Sequence, residues 1–230
     1  MIDNDVITID GPAASGKSSV GKAIADFFGY LFFDTGLMYR AVSWAAIQAG
    51  LDIRDEEAIS FLAEQIDIKI YPASIPDGRM YDVIVDEEDV TWQIRSPAVN
   101  SCVSQISTYE RVRSAMTAKQ REMGKQGKIV MVGRDIGTVV MPNAKFKFYL
   151  EATAEERAKR RCMEIVRKNG EGVYKNILQS IKGRDQIDSS REIAPLKPAR
   201  DANIINTDGK TFDEVVNEVI SIIKIKKPGG

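Results

Sequence analysis

Histidine is absent from this 230-residue chain, and cysteine occurs only twice. Without histidine, a Ser-His-Asp triad, a histidine-activated cysteine and nearly every catalytic zinc arrangement are excluded. Cys102 and Cys162 lie far apart and form no C-x-x-C pair, which is typical of free thiols in a reducing compartment. Any chemistry must therefore use lysine, arginine, carboxylates, hydroxyls, backbone amides or a metal ion held by oxygen.

The chain also lacks a strong net charge and a long hydrophobic run. Lys plus Arg is 32 and Asp plus Glu is 33, so the whole molecule has no field that would attract nucleic acid or anionic lipid. No stretch approaches the ~20 apolar residues of a membrane span. Asp3 and Asp5 precede a short apolar run, unlike a signal peptide. We expect a cytoplasmic protein with no nucleic-acid or membrane partner and with one sizeable core.

Short apolar runs alternate with helical patterns along most of the chain. This alternation is typical of an α/β fold with a parallel sheet and helices on both faces, and ligands of such sheets bind at the carboxyl ends of the strands. The predicted strands are 6–9, 31–33, 128–132, 146–150 and 203–205. A first helix ends at Gly29, and further single helices are predicted at 36–49, 55–65, 153–168, 173–188 and 211–223, with more than one helix over 98–125.

A different pattern interrupts this rhythm near residues 66–90. Residues 66–71 and 80–85 alternate apolar with polar side chains around Pro72, Pro76 and Gly78. Such alternation predicts a half-exposed antiparallel hairpin. We interpret it as a small β insertion that adds substrate contacts.

One motif matches G-x-x-x-x-G-K-[ST] in full, directly after a predicted strand and at the start of a predicted helix. The glycines let backbone N–H groups face phosphates at the positive end of the helix. Lys17 would neutralise the β and γ phosphates, and the Ser18 hydroxyl suits Mg²⁺. A glycine-rich turn without a ligand is the structural alternative, but its context favours triphosphate binding. The predicted loop is Gly11, Pro12, Ala13, Ala14, Ser15, Gly16, Lys17, Ser18 and Ser19.

Polar residues follow the second predicted strand. Thr35, Tyr39 and Arg40 together suit a phosphomonoester, although separately they could be a helix cap, a core residue and a solvated charge. Asp34 could order a magnesium-bound water or cap the following helix. The chain lacks the N-K-x-D tetrad with which GTPases read guanine, and this weighs against a switch protein.

Arginine is abundant at predicted strand ends and on the two helices that flank Asn169-Gly170, which we predict to be a helix break. Phosphoryl transfer needs positive charge on the migrating group and its acceptor, and arginine forks supply it well. On the alternative interpretation, Arg157, Arg160 and Arg161 form a solvated face paired with Glu155 and Glu156. The full set is Arg113, Arg134, Arg157, Arg160, Arg161, Arg184 and Arg191.

Several sequence blocks closely resemble those of bacterial cytidylate kinases, a family of nucleoside monophosphate kinases. Beyond the phosphate loop, the two most specific blocks are 133–140 and 184–196. The P-loop ends Lys17-Ser18-Ser19 and Thr35 stands where many members have serine, but hydroxyls are retained at these places. The blocks that match are Ile7-Thr8-Ile9-Asp10-Gly11-Pro12, Asp34-Thr35-Gly36 with Tyr39-Arg40, Arg111-Val112-Arg113, Gly133-Arg134-Asp135-Ile136-Gly137-Thr138-Val139-Val140, Arg184-Asp185 with Asp188, and Arg191 with Ala194-Pro195-Leu196.

This resemblance implies transfer of the γ-phosphoryl group from ATP to CMP or dCMP, with Mg²⁺ as cofactor, by a monomer of pyrimidine nucleotide metabolism. It implies that Lys17, Arg134, Arg157, Arg161 and Arg184 act on the transferred group. By position, Thr35, Tyr39, Arg40 and Arg134 match residues at the acceptor phosphate. The residues that match the cytosine-recognising positions of the family are Ser104, Arg113, Asp135 and Arg191. The pair that matches the pentose-binding positions is Arg184 and Asp188. The loop 206–209 resembles the adenine-side loop.

The resemblance also implies a P-loop three-layer kinase fold in a single domain. Its core would be 1–34, 98–152 and 189–230, its monophosphate-binding region 35–97, and its helical lid 153–188 with Arg157 and Arg161. Two other classes remain open at this point. A kinase for another monophosphate or for shikimate would share the phosphate loop, and a nucleic-acid or regulatory ATP-binding module would hydrolyse ATP without a phosphorylated small product.

Overall fold

The computed structural model describes residues 5–167 and 171–226. The predicted break at Asn169-Gly170, the end of the predicted helix at Lys168, and Asp3 lie outside these residues. Internal contacts divide the chain into two compact units, Met1–Asp34 with Arg121–Gly230, and Thr35–Gln120. The boundaries of the predicted monophosphate-binding and lid regions stay predictions.

The strands and helices follow the predicted order closely. In chain order the strands are β1 (Val6–Asp10), β2 (Leu31–Asp34), β3 (Ile68–Pro72), β4 (Tyr81–Val85), β5 (Glu88–Asp89), β6 (Ile129–Gly133), β7 (Phe146–Glu151) and β8 (Asn203–Asn206). The α-helices are α1 (Lys17–Phe28), α2 (Gly36–Gln48), α3 (Glu56–Gln65), α4 (Pro97–Ile106), α5 (Glu110–Gly124), α6 (Ala154–Arg167), α7 (Tyr174–Ser190) and α8 (Phe212–Lys226). None of these helices is both long and apolar enough to cross a membrane.

The first unit is built on a five-stranded sheet with the strand order β2-β6-β1-β7-β8. Every neighbouring pair is parallel, which confirms the predicted parallel sheet. The continuous apolar run 31–33 predicts a strand that is buried on both faces, and this prediction is wrong. Because β2 lies at an edge of the sheet, Leu31 is 38% exposed, and within β2 only Phe33 is buried.

Every residue of the inner strands β1 and β6 is buried, and alternate residues form the core cluster on one face of the sheet, as the two-residue period of a strand requires. Ile7, Ile9 and Phe148 pack in one cluster with apolar residues of α1 and α8, among them Val20 and Val219. Helix α1 approaches the sheet very closely, since a Cβ added at Gly21 would lie 2.5 Å from Val132 Cγ1. This packing fixes the amino end of α1 against the carboxyl end of β1.

The second unit contains the predicted hairpin, with β3 and β4 antiparallel. It gains a third strand, β5, which pairs with β4 and which sequence reasoning missed because only two acidic residues form it. The hairpin is not half-exposed throughout, because four of the five residues of β4 are buried.

Helices are predicted over 98–125 without a position for the break between them, and in the structure α4 ends at Ile106 and α5 begins at Glu110. Ser107 Oγ and Thr108 Oγ1 donate to the carbonyls of Ser104 and Gln105, at 2.9 and 2.7 Å. Hydroxyls that bond to nearby carbonyls offer the backbone an alternative to continuing the helix. The break therefore has a local cause.

Truncation of a buried core ring should destabilise the first unit strongly. Phe148 is 1% exposed and Phe27 is 53% exposed. We expect Phe148→Ala to lower the free energy of unfolding by about 3–5 kcal/mol, because it leaves a cavity. Phe27→Ala, the control, should cost about 1 kcal/mol or less. Chemical denaturation measures both, and equal losses would contradict the assignment of the core.

Candidate active site

The phosphate loop lies between β1 and α1, and its backbone requires glycine at two points. Gly11 has φ +155°, and a Cβ there would lie only 2.3 Å from the carbonyl oxygen of Leu150. Gly16 caps α1 with φ +86°, a left-handed conformation that glycine adopts without steric cost. The loop therefore reaches the amino end of α1 by a path that other residues would obstruct.

Lys17 is buried, with only 8% of the residue exposed. Its Nζ donates to the carbonyl oxygen of Pro12 at 3.0 Å. Burial lowers the pKa of Lys17 well below its ordinary value, and Arg134 and Arg184 lower it further, whereas Asp34 raises it. A polyphosphate would supply the negative charge that a buried ammonium group needs.

A second buried polar atom of the loop fits the same ligand. Ser15 is 1% exposed, and within the part of the chain that the structure describes its Oγ has no hydrogen-bond partner. Buried hydroxyls usually have one. Phosphate oxygens are strong acceptors that would satisfy this hydroxyl.

Ser18 and Asp34 place two oxygen atoms side by side at the ends of α1 and β2. Ser18 Oγ donates to Asp34 Oδ2 at 2.7 Å. Oxygen donors of this kind suit Mg²⁺, which is commonly held by one or two protein oxygens together with phosphate oxygens and water. Thr35, and not Asp34, occupies the N-cap position of α2. Both roles that the sequence left open for Asp34 stay predictions.

A cavity of about 600 Å³ lies over the phosphate loop within the first unit. A volume of this size is within the range of small-molecule sites. Its lining is strongly basic although the chain has a net charge of -1, so the positive charge is local, as predicted. Beyond the phosphate loop, the lining includes Arg160, Arg161, Glu164, Arg167, Thr207, Lys210 and Phe212.

Arg160 joins α6 to the loop that follows β8. Its Nη1 donates to Thr207 Oγ1 at 2.9 Å and its Nη2 to the Thr207 carbonyl oxygen at 2.5 Å. Thr207 N in turn donates to the carbonyl oxygen of Glu151 at 2.8 Å. The sequence left two interpretations open for Arg160, a cation for phosphoryl transfer and a surface pair with Glu156, one turn earlier. That pair exists at 3.2 Å. The two Nη atoms of the same guanidinium nevertheless bind Thr207, which lines the cavity.

Arg157 is 4% exposed, so the alternative of a solvated face is wrong for this residue. Its guanidinium makes a two-pronged pair with Asp185 at 3.0 and 2.6 Å and donates to the carbonyl oxygen of Ala13 at 3.1 Å. It therefore connects α6, α7 and the phosphate loop. Arg161 is different, since it lies at the rim of the cavity and pairs with Glu164 at 2.7 Å.

Among the five acceptor residues predicted in the first unit, Arg134 and Arg191 both bind the buried carboxylate of Asp188. Asp188 Oδ2 accepts from Arg134 Nε at 2.8 Å, and Asp188 Oδ1 accepts from Arg191 Nη2. Burial raises the pKa of Asp188, but Arg134 and Arg191 more than compensate, so that its pKa lies below its ordinary value. Arg184 interacts electrostatically with Asp188 and Lys17. The fifth, Asp135, is buried beside Arg134 in the chain.

The other predicted acceptor residues lie in the second unit. Arg113 is 3% exposed, and its guanidinium carbon lies 5.5 Å from the ring centre of buried Tyr39. Arg40 donates to Asn100 Oδ1 at 2.7 Å and to the Ile94 carbonyl oxygen at 3.1 Å. Thr35 is buried, and Ser104 is half-buried on α4. Arg113 and Tyr39 are thus brought together.

The fold and the phosphate loop define a class, the P-loop nucleotide-binding proteins, in which the loop between a parallel strand and its helix holds phosphates. A solved structure, TT1252 from Thermus thermophilus, shares the fold with a TM-score of 0.50 and 15% identity, and the match covers 97% of this chain and 98% of that one. A likeness at this identity shows the fold alone.

The sequence comparisons are more specific. The family model for cytidylate kinase matches residues 7–225. A cytidylate kinase of Roseiflexus castenholzii is 46% identical over 219 residues, with 95% of this chain and 93% of the relative covered. One of Herpetosiphon aurantiacus is 41% identical over 226 residues, with 98% and 97% covered. The chain belongs to the cytidylate kinase family.

Loss of the Arg160 contact should weaken binding of the triphosphate. We expect Arg160→Met to lower the affinity for ATP roughly tenfold, because two hydrogen bonds from a charged group to the cavity wall are lost. Lys159→Met is the matched control, since it removes an exposed charge one residue away on α6. Calorimetric titration with ATP measures both variants. Equal affinities for the two would contradict the role of Arg160 in shaping the cavity.

Proposed function

We propose that this chain transfers the γ-phosphoryl group of ATP to CMP, and also to dCMP, to give CDP or dCDP. The observation that carries the proposal is the basic cavity over the phosphate loop, in a chain that matches the cytidylate kinase model over residues 7–225. Mg²⁺ belongs to the proposal as the ion that Ser18 and Asp34 would hold. Its positive charge would screen the phosphate oxygens that the attacking group must approach.

On the donor side, the chain's own residues do two things. Lys17 and the loop amides bind the β and γ phosphates, and the cations of α6 neutralise charge that spreads over the migrating group. Arg157 acts here by holding α6 to Ala13 and Asp185. A general base is unnecessary, because an ionised acceptor phosphate is already nucleophilic. Closure of the helices 153–188 over ATP would exclude water as a competing acceptor.

On the acceptor side, the proposed residues divide by chemistry. Thr35, Tyr39 and Arg40 would bind the phosphate together with Arg134. A carboxylate such as Asp135 can accept from the exocyclic amine of cytosine, whereas uracil presents a carbonyl there and would be repelled. Arg113, Arg191 and Ser104 supply donors for the cytosine carbonyl and ring nitrogen. The remaining pair, Arg184 and Asp188, would bind the pentose.

The cellular setting of this reaction follows from the same proposal. A cytoplasmic monomer of pyrimidine nucleotide metabolism, with small-molecule partners only, is the setting that the family resemblance and the composition support. A kinase for another monophosphate or for shikimate would act on a different acceptor. A nucleic-acid-dependent ATPase would release phosphate and form no phosphorylated small product.

A panel of acceptors tests the reaction directly. Purified protein with Mg²⁺ and ATP should release ADP with CMP and dCMP, and much less with UMP, AMP or shikimate. Lys17→Ala should lower the rate roughly 10²-fold or more, because it removes a preorganised charge from the transition state. Lys22→Ala, which changes an exposed lysine of the same helix paired with Asp26, should keep the rate. Absence of CDP with the unaltered protein would refute the function.

Arg113 tests the acceptor assignment. We expect Arg113→Met to raise the KM for CMP at least roughly tenfold and to leave the KM for ATP nearly unchanged, since a charged donor to the base is lost. Arg111→Met is the control, because Arg111 lies on the same helix and pairs with Glu57 and Glu64 on the surface. Steady-state kinetics measure both. An equal rise in the two KM values would remove Arg113 from the acceptor site.

A further inference from the structure

A short turn directly follows Arg134 and Asp135, and one buried carboxylate holds this turn to the sheet. Asp10 is the last residue of β1 and is 3% exposed. Its Oδ1 accepts from Ile136 N and its Oδ2 from Gly137 N, both at 2.8 Å. Both oxygens of the carboxylate are therefore engaged by backbone amides on a distant part of the chain.

These two amides need an external acceptor. Residues Ile136–Val140 form a π-helical turn, in which the amides of Val139 and Val140 donate to the carbonyl oxygen of Asp135. The first amides of any helical turn have no acceptor within it. Asp10 supplies that acceptor from another strand, so it caps a turn that begins directly after Arg134 and Asp135.

Close packing holds the same turn against β1. A Cβ added at Gly137 would lie 3.0 Å from Thr8 Oγ1 and 3.4 Å from Asp10 Oδ2. The backbone at Gly137 therefore rests directly on two side chains of β1. The next residue after Asp10 is Gly11, which opens the phosphate loop, so one residue adjoins both the loop and the capped turn.

We propose that Asp10 is a positioning residue for the phosphate acceptor. Its carboxylate fixes the turn that directly follows Arg134 and Asp135, and so holds these two residues in place relative to the phosphate loop. The inference rests on the proposed function, which assigns those two residues to CMP. In-line transfer needs donor and acceptor aligned to within a fraction of an ångström. A carboxylate that ties the two backbone segments together sets this alignment without contacting the substrate.

The same carboxylate is sensitive to pH. Burial raises the pKa of Asp10 to about 7, although the amides of Gly137 and Ile136 oppose the rise, while Asp135 adds to it and Lys17 opposes it. Tyr149, on the neighbouring strand β7, also lies within electrostatic reach. The carboxylate form prevails above about pH 7, and protonation below that pH leaves one amide facing a hydroxyl. The capped turn should therefore loosen as the pH falls.

Asp10→Asn tests the proposal, because asparagine keeps the shape but offers one acceptor and places an NH₂ group against the other amide. Two readouts are needed. In NMR spectra, the amide signals of Ile136 and Gly137 should move upfield and exchange faster with solvent, and their pH titration with a midpoint near 7 should disappear. In kinetics, the KM for CMP should rise roughly tenfold or more, with less than a threefold change in the KM for ATP.

Asp26→Asn is the matched control. It also changes a carboxyl group to an amide in the first unit, where Asp26 pairs with Lys22 on the surface of α1, but it does not touch the two capped amides. It should leave the amide signals and both KM values unchanged. Gly137→Ala provides a second route should Asp10→Asn fail to fold. Its added Cβ displaces the turn while Asp10 stays intact, and it should produce the same selective rise in the KM for CMP.

The outcomes separate the inference from the function on which it rests. Unaltered protein that forms CDP, with a variant whose two KM values rise together or not at all, overturns the positioning role alone. Unchanged amide signals in Asp10→Asn overturn the cap itself. If the unaltered protein forms no CDP, the proposed function fails and the positioning role fails with it.

Discussion

Buried positive charge at the carboxyl end of the parallel sheet is the constraint around which the site is organised. The ammonium group of Lys17 is removed from water and hydrogen-bonded to the carbonyl oxygen of Pro12, and Arg134 and Arg184 lie near enough to lower its pKa further. Charge in such surroundings is costly unless an opposite charge accompanies it. A polyphosphate would supply that opposite charge. The phosphate loop, helix α1 packed on the sheet and the basic cavity are therefore all suited to the same ligand.

The cations around this centre differ in how firmly they are held. Arg157 and Arg134 are fixed in advance by buried or half-buried carboxylates, Asp185 and Asp188. Arg161 and its partner Glu164 are about half exposed, and exposed pairs of this kind contribute little. Fixed arginines give a preorganised field, whereas weakly held ones can move to a ligand at little cost.

Sequence patterns predicted the parts of this molecule that depend on local chemistry. The phosphate loop, the parallel strands and the hairpin each have a local signature in glycine spacing or apolar period, and all are present in the structure. The edge position of β2 could not be predicted, because strand order depends on contacts between distant segments. The break before α5 depends on the hydroxyls of Ser107 and Thr108, which donate to nearby carbonyl oxygens. Because serine and threonine also occur inside helices, these two residues do not locate the break in the sequence.

The same distinction applies to the site. A motif predicts the phosphate-binding roles of Lys17 and Ser18. The burial of Arg157 and the hydrogen bonds from Arg160 to Thr207 instead depend on how α6 packs against residues that are distant in sequence. Charge patterns along one helix, such as Glu156 with Arg160, predict a surface pair and say nothing of a second partner. Asp10 shows the same limit, since its two amide partners belong to a turn that no periodic pattern indicates. The CMP-contacting roles of residues in both units stay predictions.

The sheet is discontinuous in sequence, because the second unit is inserted between β2 and β6. Strand β1 lies at the centre of the sheet and pairs with β6 and β7, so it has no partner until the whole second unit has been synthesised. An unpaired apolar strand is prone to association with other chains. During translation, β1 must therefore stay unpaired, and apart from other nascent chains, while the inserted unit is being synthesised.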